Sequence, residues 1–313
     1  MKRILITGAT GYIGTNVVNY LNEYNELNGQ ECYAVDCLSL REENWENFDF
    51  SPYDVVLHLA GKAHADIGHV SEDIKQEYYN VNCKLAVRTA TKAKEQGVPH
   101  FVYLSSVIVY GDSANVGKAK CITARTKETP ANFYGDSKWQ AEQKLRGLEE
   151  CGGDKPFYVA IVRPPMVYGK GSKGNFPLLV KLAAKMPIFP AVRNERSMIY
   201  IENLAEFLRL LIDSGQGGVY LPQNAEYVTT AEMVKAIGRV RNKKIYLSKL
   251  LNPFVWLASK MPGKIGGMAN KAFGSLSIAK EFGSKEMTGV SPKEIKGYRI
   301  CDFEESIYRS IDT

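Results

Sequence analysis

The sequence predicts an α/β protein built on a doubly wound parallel sheet, with a smaller C-terminal lobe. Three observations carry this. Apolar strand-like runs recur at Ile4 to Thr7, Tyr33 to Val35, Val55 to Leu59, Phe101 to Leu104 and Val159 to Val162. Helix-period segments lie between most of them, and the first run passes directly into a GxxGxxG turn at Gly8, Gly11 and Gly14. Buried strands alternating with helices are the pattern of a parallel sheet covered on both faces.

The elements follow in order. A first strand leads through the glycine turn into a helix from about Tyr12 to Leu21. A second strand, Cys32 to Val35, ends in Asp36; the stretch from there to Asp54 is short for a helix and a strand, so an abbreviated crossover is expected. A helix over Asn82 to Gln96 stops at Gly97 and Pro99. The fourth run ends in Ser105 and Ser106, and the segment TPANFYGDSK then opens a helix carrying Tyr134 and Lys138. After Arg163 the alternation fades into PPMVYGKGSKGNFP. Helices are expected over Pro177 to Lys185, Ile201 to Ser214 and Thr230 to Arg241, with a strand at Gly218 to Leu221. This divides the chain into a dinucleotide-binding part, 1–165 with a return near 195–222, and a substrate lobe of 166–194 and 223–313.

At 313 residues with 45% apolar side chains, a sizeable core is affordable. The opening residues form a strand and a loop, and no apolar run approaches the ~20 residues of a membrane span, so a soluble, cytoplasmic protein is expected. Six scattered cysteines without CxxC pairs indicate neither a disulfide framework nor a metal site; Cys32, Cys83 and Cys301 read as core residues. The net charge of +6 is unevenly spread, because no acid lies between Glu232 and Glu281 while ten lysines and arginines do. A solvated basic face, with no nucleic-acid partner, is the expected reading. Within it, KLLNPFVWLASKMPGK at Lys249 to Lys264 reads as a lobe helix turning its apolar side inward; the alternative lays it on an anionic membrane surface.

Glycines at the first turn allow backbone to approach a pyrophosphate, and the following helix points its positive end at the phosphates. Asp36 lies where a ribose-binding carboxylate belongs; it would accept bonds from a 2′-hydroxyl and repel a 2′-phosphate, which favours NAD over NADP, although Arg41 stands nearby. Tyr134 and Lys138 are one helical turn apart and share a face. An ammonium beside a phenol lowers a pKa that is normally ~10, so Tyr134 is expected to exchange protons near neutrality. Ser106 could hold the same substrate hydroxyl.

The chain resembles the extended short-chain dehydrogenase/reductases, the nucleotide-sugar epimerase/dehydratase family on the Rossmann fold. The likeness runs from Met1 through Leu221 and rests on TGATGYIG, LHLAGKAH (Leu57 to His64), YNVN ending at Asn82, SSVIVYG, YGDSK and RPPMVYG. RPPMVYGKGSKGNF and RSMIYIENL are most similar to bacterial UDP-sugar 4-epimerases and 4-ketoreductases of surface-polysaccharide pathways. The resemblance implies Tyr134 as base, Lys138 on the nicotinamide ribose and Ser106 on the substrate hydroxyl. It places Gly8, Gly11, Tyr12, Ile13, Gly14, Asp36, Leu59, Ala60, Gly61, Lys62, Asn82, Ser105 and Pro164 around the cofactor, with Asp49 and Phe50 near adenine. Lys62, Asn175 and Arg196 would meet the sugar nucleotide, the last two at its diphosphate, and a homodimer would form on helices flanking YGDSK. One departure is Met166, where family epimerases carry an asparagine donor.

Family dehydratases carry Asp-Glu after the active-site hydroxyl residue. Val107 and Ile108 stand there in this chain and can do no acid or base work, which disfavours dehydration. The expected reaction is 4-epimerisation: hydride leaves C4, the 4-ketone rotates, and hydride returns to its other face. The alternative is a 4-ketoreductase acting on a UDP-4-keto-6-deoxy sugar with NADH or NADPH. A non-catalytic dinucleotide sensor is the third reading, disfavoured because Tyr134 and Lys138 are both present.

Overall fold

The computed structural model describes residues 1–63, 70–280 and 295–311; His64, within the LHLAGKAH segment, lies outside them. The sheet side of the chain runs β1 (Lys2–Thr7), α1 (Tyr12–Asn28), β2 (Tyr33–Leu38), β3 (Val55–His58), α2 (Glu72–Tyr79), α3 (Ala86–Glu95), β4 (His100–Leu104), β5 (Cys121–Ile122), α4 (Phe133–Arg146) and β6 (Tyr158–Val162). It continues through β7 (Met166–Tyr168), α5 (Asn175–Lys185), β8 (Ile188–Pro190), β9 (Met198–Tyr200), α6 (Ile201–Ser214) and β10 (Gly218–Tyr220). The last part holds α7 (Thr230–Val240), β11 (Tyr246–Ser248), α8 (Asn252–Lys260), α9 (Lys264–Phe273), β12 (Ser277–Ile278) and α10 (Phe303–Ser310).

Six strands form one parallel sheet in the order β10-β6-β4-β3-β1-β2. Successive side chains of a strand point to opposite faces, and β1 shows both faces buried. Ile4 and Ile6 pack with Val17 and Leu21 of α1 and Leu204 and Leu208 of α6. Leu5 joins the opposite core, where Ala86, Ala90 and Ala93 of α3 and Ala141 and Leu145 of α4 cover the sheet. A third core, around Tyr168, Phe176, Met198, Met233 and Ile307, belongs to the segments after β6.

The chain runs from β1 outward to β2, then returns to β3 on the other side of β1. That reversal leaves a crevice at the carboxyl ends of β1 and β3, the usual ligand position in such sheets. The short path between β2 and β3 contains only a helical turn at Trp45–Asn47, as its length required. β2 itself runs on through Asp36 to Leu38, so Asp36 lies within the strand in register with Leu5, not at its end.

The expected helix over Asn82 to Gln96 is a longer, interrupted one. Between α2 and α3, Asn80–Leu85 winds as a π-helical turn. Such a bulge turns side chains out of register, and here it aims Asn82 back at the loop after β3. Asn82 accepts from the Lys62 N–H (2.8 Å) and donates to the Lys62 carbonyl (3.0 Å) and Ser137 Oγ (3.0 Å).

The segment at Lys249 to Lys264 departs from the inward-facing helix expected of it. It forms the 3-10 turn Lys249–Leu251 and α8, and Phe254, Trp256 and Leu257 point outward. Among the described residues, no helix is long and apolar enough to cross a membrane.

Candidate active site

A cavity of about 760 Å³ opens at the crevice. Its floor is the turn after β1. Gly8 has φ +75°, and a Cβ there would come 2.5 Å from the Ala60 amide nitrogen; a Cβ on Gly14 would come 2.3 Å from the Gly8 carbonyl oxygen. Only glycine lets the turn, the loop after β3 and α1 approach this closely. Gly11 is less crowded, its nearest such contact being 3.2 Å, and together with Gly8, Tyr12, Ile13 and Gly14 it lines the open cavity. The amino end of α1 therefore faces space, with its backbone N–H groups and positive dipole end available to a diphosphate. Leu59, Gly61 and Lys62 form the adjoining wall.

The opposite wall carries the reactive groups. Asn132 caps α4, its side chain accepting from the Gly135 N–H at 3.0 Å. A Cβ on Gly135 would sit 2.9 Å from the Ile108 carbonyl oxygen, so α4 packs directly on the turn Val107–Tyr110 that follows Ser106. This contact brings Tyr134 and Ser106 to the same wall, where the Ser106 hydroxyl acts on the phenol and also accepts from the Ile108 N–H. Lys138, one turn further, is buried; its ammonium donates to the Leu104 carbonyl (2.9 Å) and lies 4.7 Å from the Tyr103 ring centroid. Ser106, Tyr134 and Lys138 all line the cavity with the glycine turn.

The electrostatics correct one expectation. Burial pushes the Tyr134 hydroxyl up to about 12, only partly offset by the nearby Ser106 hydroxyl, and it pushes the Lys138 ammonium down to about 8. Lys138 is turned to the strand carbonyl and does not lower the phenol toward neutrality in the protein alone.

Other predicted residues divide. Pro164 and Asn175 line the cavity, and Ser105 does so while its hydroxyl donates to Glu142. Asn82, Ala60, Asp36, Asp49, Phe50 and Arg196 do not line it. Asn82 is committed to the loop, as described above. Phe50 is a core residue whose N–H donates to Gln96, and Asp49 is exposed, accepting from the Ser51 N–H at 2.9 Å. Asp36 is exposed and accepts from the Tyr53 hydroxyl at 2.9 Å. Arg196 lies in a smaller adjoining cavity, donating to the Lys271 and Ala272 carbonyls at the carboxyl end of α9. Met166, Asn175 and Lys271 border both cavities. Lys62 lines the large cavity and is ion-paired with Glu77.

Two cationic lining residues, Lys173 and Lys271, were not anticipated. Lys173 lies between Gly171 and Gly174 of GKGSKG, and Lys271 was hidden among the other cations of the basic stretch. No spacing rule separates one such lysine from its neighbours.

Residues 4–221 match the NAD dependent epimerase/dehydratase family. The chain belongs to that family. It is an NAD-dependent enzyme of the extended short-chain dehydrogenase/reductase type. Among curated relatives, UDP-glucose 4-epimerase of Vibrio cholerae is 30% identical over 315 residues, spanning 94% of this chain and 92% of the relative. An N-acetyl-alpha-D-glucosaminyl-diphospho-ditrans,octacis-undecaprenol 4-epimerase of Escherichia coli O157:H7 is 27% identical, spanning 83% and 81%. Of solved structures, UDP-glucuronic acid 4-epimerase of Bacillus cereus in complex with NAD superposes with a TM-score of 0.66 at 17% identity, covering 98% of this chain and 97% of the other. That last likeness is one of fold.

The cradle fits the cofactor that the family name carries. Gly8, Gly11 and Gly14 leave backbone exposed where a diphosphate would lie, and Lys138, Gly61 and Pro164 surround the end where a nicotinamide ribose would lie. The carboxylate of Asp36, on the strand beside the turn, would disfavour a 2′-phosphate.

Proposed function

We propose that the protein is a 4-epimerase of a UDP-linked hexose or N-acetylhexosamine, working through a transient 4-keto sugar and supplying surface-polysaccharide precursors. The observation that carries this reading is the convergence of Ser106, Tyr134 and Lys138 on one cavity whose dehydration positions are apolar. Val107 is buried in the sheet core, and Ile108 offers no acid or base. The names of the relatives agree with C4 chemistry on sugar diphosphates.

When bound, the nicotinamide ring supplies the group that accepts hydride and gives it back. The chain does the rest. Tyr134 takes the C4 hydroxyl proton and later returns it. Ser106, lining the same cavity as the phenol, orients that hydroxyl so that the proton path is short. Lys138 sits behind the phenol and holds ribose. Asn175, Lys173 and Lys271, with Arg196 beyond them, supply donors and positive charge for the diphosphate.

The test is to incubate purified protein with UDP-glucose, UDP-galactose and their N-acetylated forms without added cofactor, following C4 configuration by proton NMR. Interconversion is the expected result. No interconversion, with oxidation of NADH or NADPH by a UDP-4-keto-6-deoxy sugar, would instead make the protein a 4-ketoreductase using the same three residues.

A further inference from the structure

The apolar side chains of the turn Lys249–Leu251, α8 and α9 face outward. Leu250, Phe254, Leu257 and Met261 follow one another at intervals of four, three and four residues, which is one face of a helix. Ile265 and Met268 repeat the interval on α9, which packs against α8 across the bend at Pro262 and Gly263. Leu250 is 84% exposed, Phe254 69%, Leu257 61% and Met268 62%. Scattered exposed leucines need no explanation, but a stripe running along two packed helices does. Among the described residues nothing covers it.

Charge indicates the occupant. Lys249, Lys260 and Lys271 are exposed on the same segment, and the sequence has no acid from Met233 to Lys280. Lysine stems lie along apolar surface while their ammonium groups reach outward; the Lys260 ammonium is 5.6 Å from the Trp256 ring centroid. A second copy of this chain meeting the surface about a two-fold axis would set lysine against lysine with no acid on α8 or α9 to answer them. An anionic lipid bilayer answers both features, accepting apolar side chains at its boundary and attracting the cations.

We propose that the α8–α9 surface docks the protein on an anionic phospholipid membrane. The helices would lie in the interface without crossing it. Met268 and Lys271 of α9 also line the smaller cavity, so docking sets the sugar-diphosphate end of the site beside the lipid headgroups. The inference stands on this surface alone and holds whichever sugar the enzyme turns over.

The test is co-sedimentation of the full chain with phosphatidylglycerol or phosphatidylcholine vesicles, at low and at high salt. Binding to phosphatidylglycerol at low salt is expected, falling at least about tenfold with high salt or with phosphatidylcholine. Phe254→Glu with Leu257→Glu is expected to lower binding by a similar factor while C4 turnover of a soluble UDP-sugar is unchanged. Quenching of Trp256 by brominated acyl chains, with Trp256→Phe as control, reads insertion in the parent sequence should the double variant not fold. Absence of binding to phosphatidylglycerol at low salt, absence of Trp256 quenching, or equal binding by the folded double variant would each overturn the proposal. So would a dimer of the parent chain that the double variant dissociates, since a second copy would then cover the surface.

Discussion

Arg163 and Glu142 form a fully buried ion pair that ties α4 to the ends of β4 and β6. Arg163 follows the end of β6, and its Nε donates to both Glu142 oxygens at 3.0 and 3.1 Å. Glu142 lies one turn beyond Lys138 on α4, and it also accepts from the Ser105 hydroxyl at the end of β4. The guanidinium reaches on to Glu128 at 2.8 Å and to the Tyr110 hydroxyl. The strand that presents Ser106 and the helix that presents Tyr134 are thus held at fixed distance by a network that touches neither.

Glu142→Gln takes from Arg163 its fully buried counterion but leaves it Glu128, so the loss should fall below the about 3–5 kcal/mol of a buried charge left with none. An unfolding free energy lower by about 2 kcal/mol is expected in urea titration, with lower turnover in the protein that remains folded. A loss below about 1 kcal/mol would mean that the network is not what holds the walls.

Tyr134→Phe is expected to reduce turnover about 10²- to 10⁴-fold with cofactor binding unchanged, as loss of a positioned proton-transfer group does. Ser106→Ala keeps the phenol and loses its orienting partner, so a smaller loss is expected. Steady-state kinetics and cofactor fluorescence titration on both variants check this. Equal losses in the two would place the proton transfer elsewhere.

His58 gives the fold an acid sensitivity unrelated to catalysis. It is fully buried at the carboxyl end of β3, its Nδ1 is 3.0 Å from the Thr7 hydroxyl, and burial pushes its imidazole down to about 3. Below pH 6.5 the unfolded chain takes up a proton that the fold refuses. The stability His58 contributes is complete above pH 6.5 and falls as pH drops toward 3, by up to ~1.4 kcal/mol per unit for one proton. His100, pushed down to about 4, adds a weaker effect of the same sign. His58→Gln should lose less stability than the parent between pH 7 and 4.5 in denaturant titrations; an equal loss would contradict this.

Asp36 is the only acid on β2 and lies on the strand beside the glycine turn. Asp36→Ser removes the carboxylate that would repel a 2′-phosphate and is expected to improve the relative affinity for NADP over NAD about tenfold. Calorimetric titration with both cofactors measures it.

The sequence showed the parts governed by local rules. The glycine turn, the strand ending in Ser105 and Ser106, and the one-turn spacing of Tyr134 and Lys138 were legible because periodicity and backbone sterics act over a few residues. Burial balances are not local, and this is why the upward push on the Tyr134 hydroxyl was not legible: it depends on what α4 packs against. Asn82 was assigned to the cofactor by motif, but the π-helical turn that aims it at Lys62 has no signature in residue types. The outward face of α8 was equally hidden, since a stripe at helical spacing reads the same whether it meets a core or solvent.

The most direct measurement is epimerisation in deuterium oxide, with the C4 position of the product read by proton NMR. Hydride removed and returned within one closed site predicts a C4-inverted sugar that keeps its original C4 hydrogen. Deuterium at C4 would mean exchange with solvent through a route that Ser106, Tyr134 and Lys138 do not provide, and would contradict the proposed chemistry.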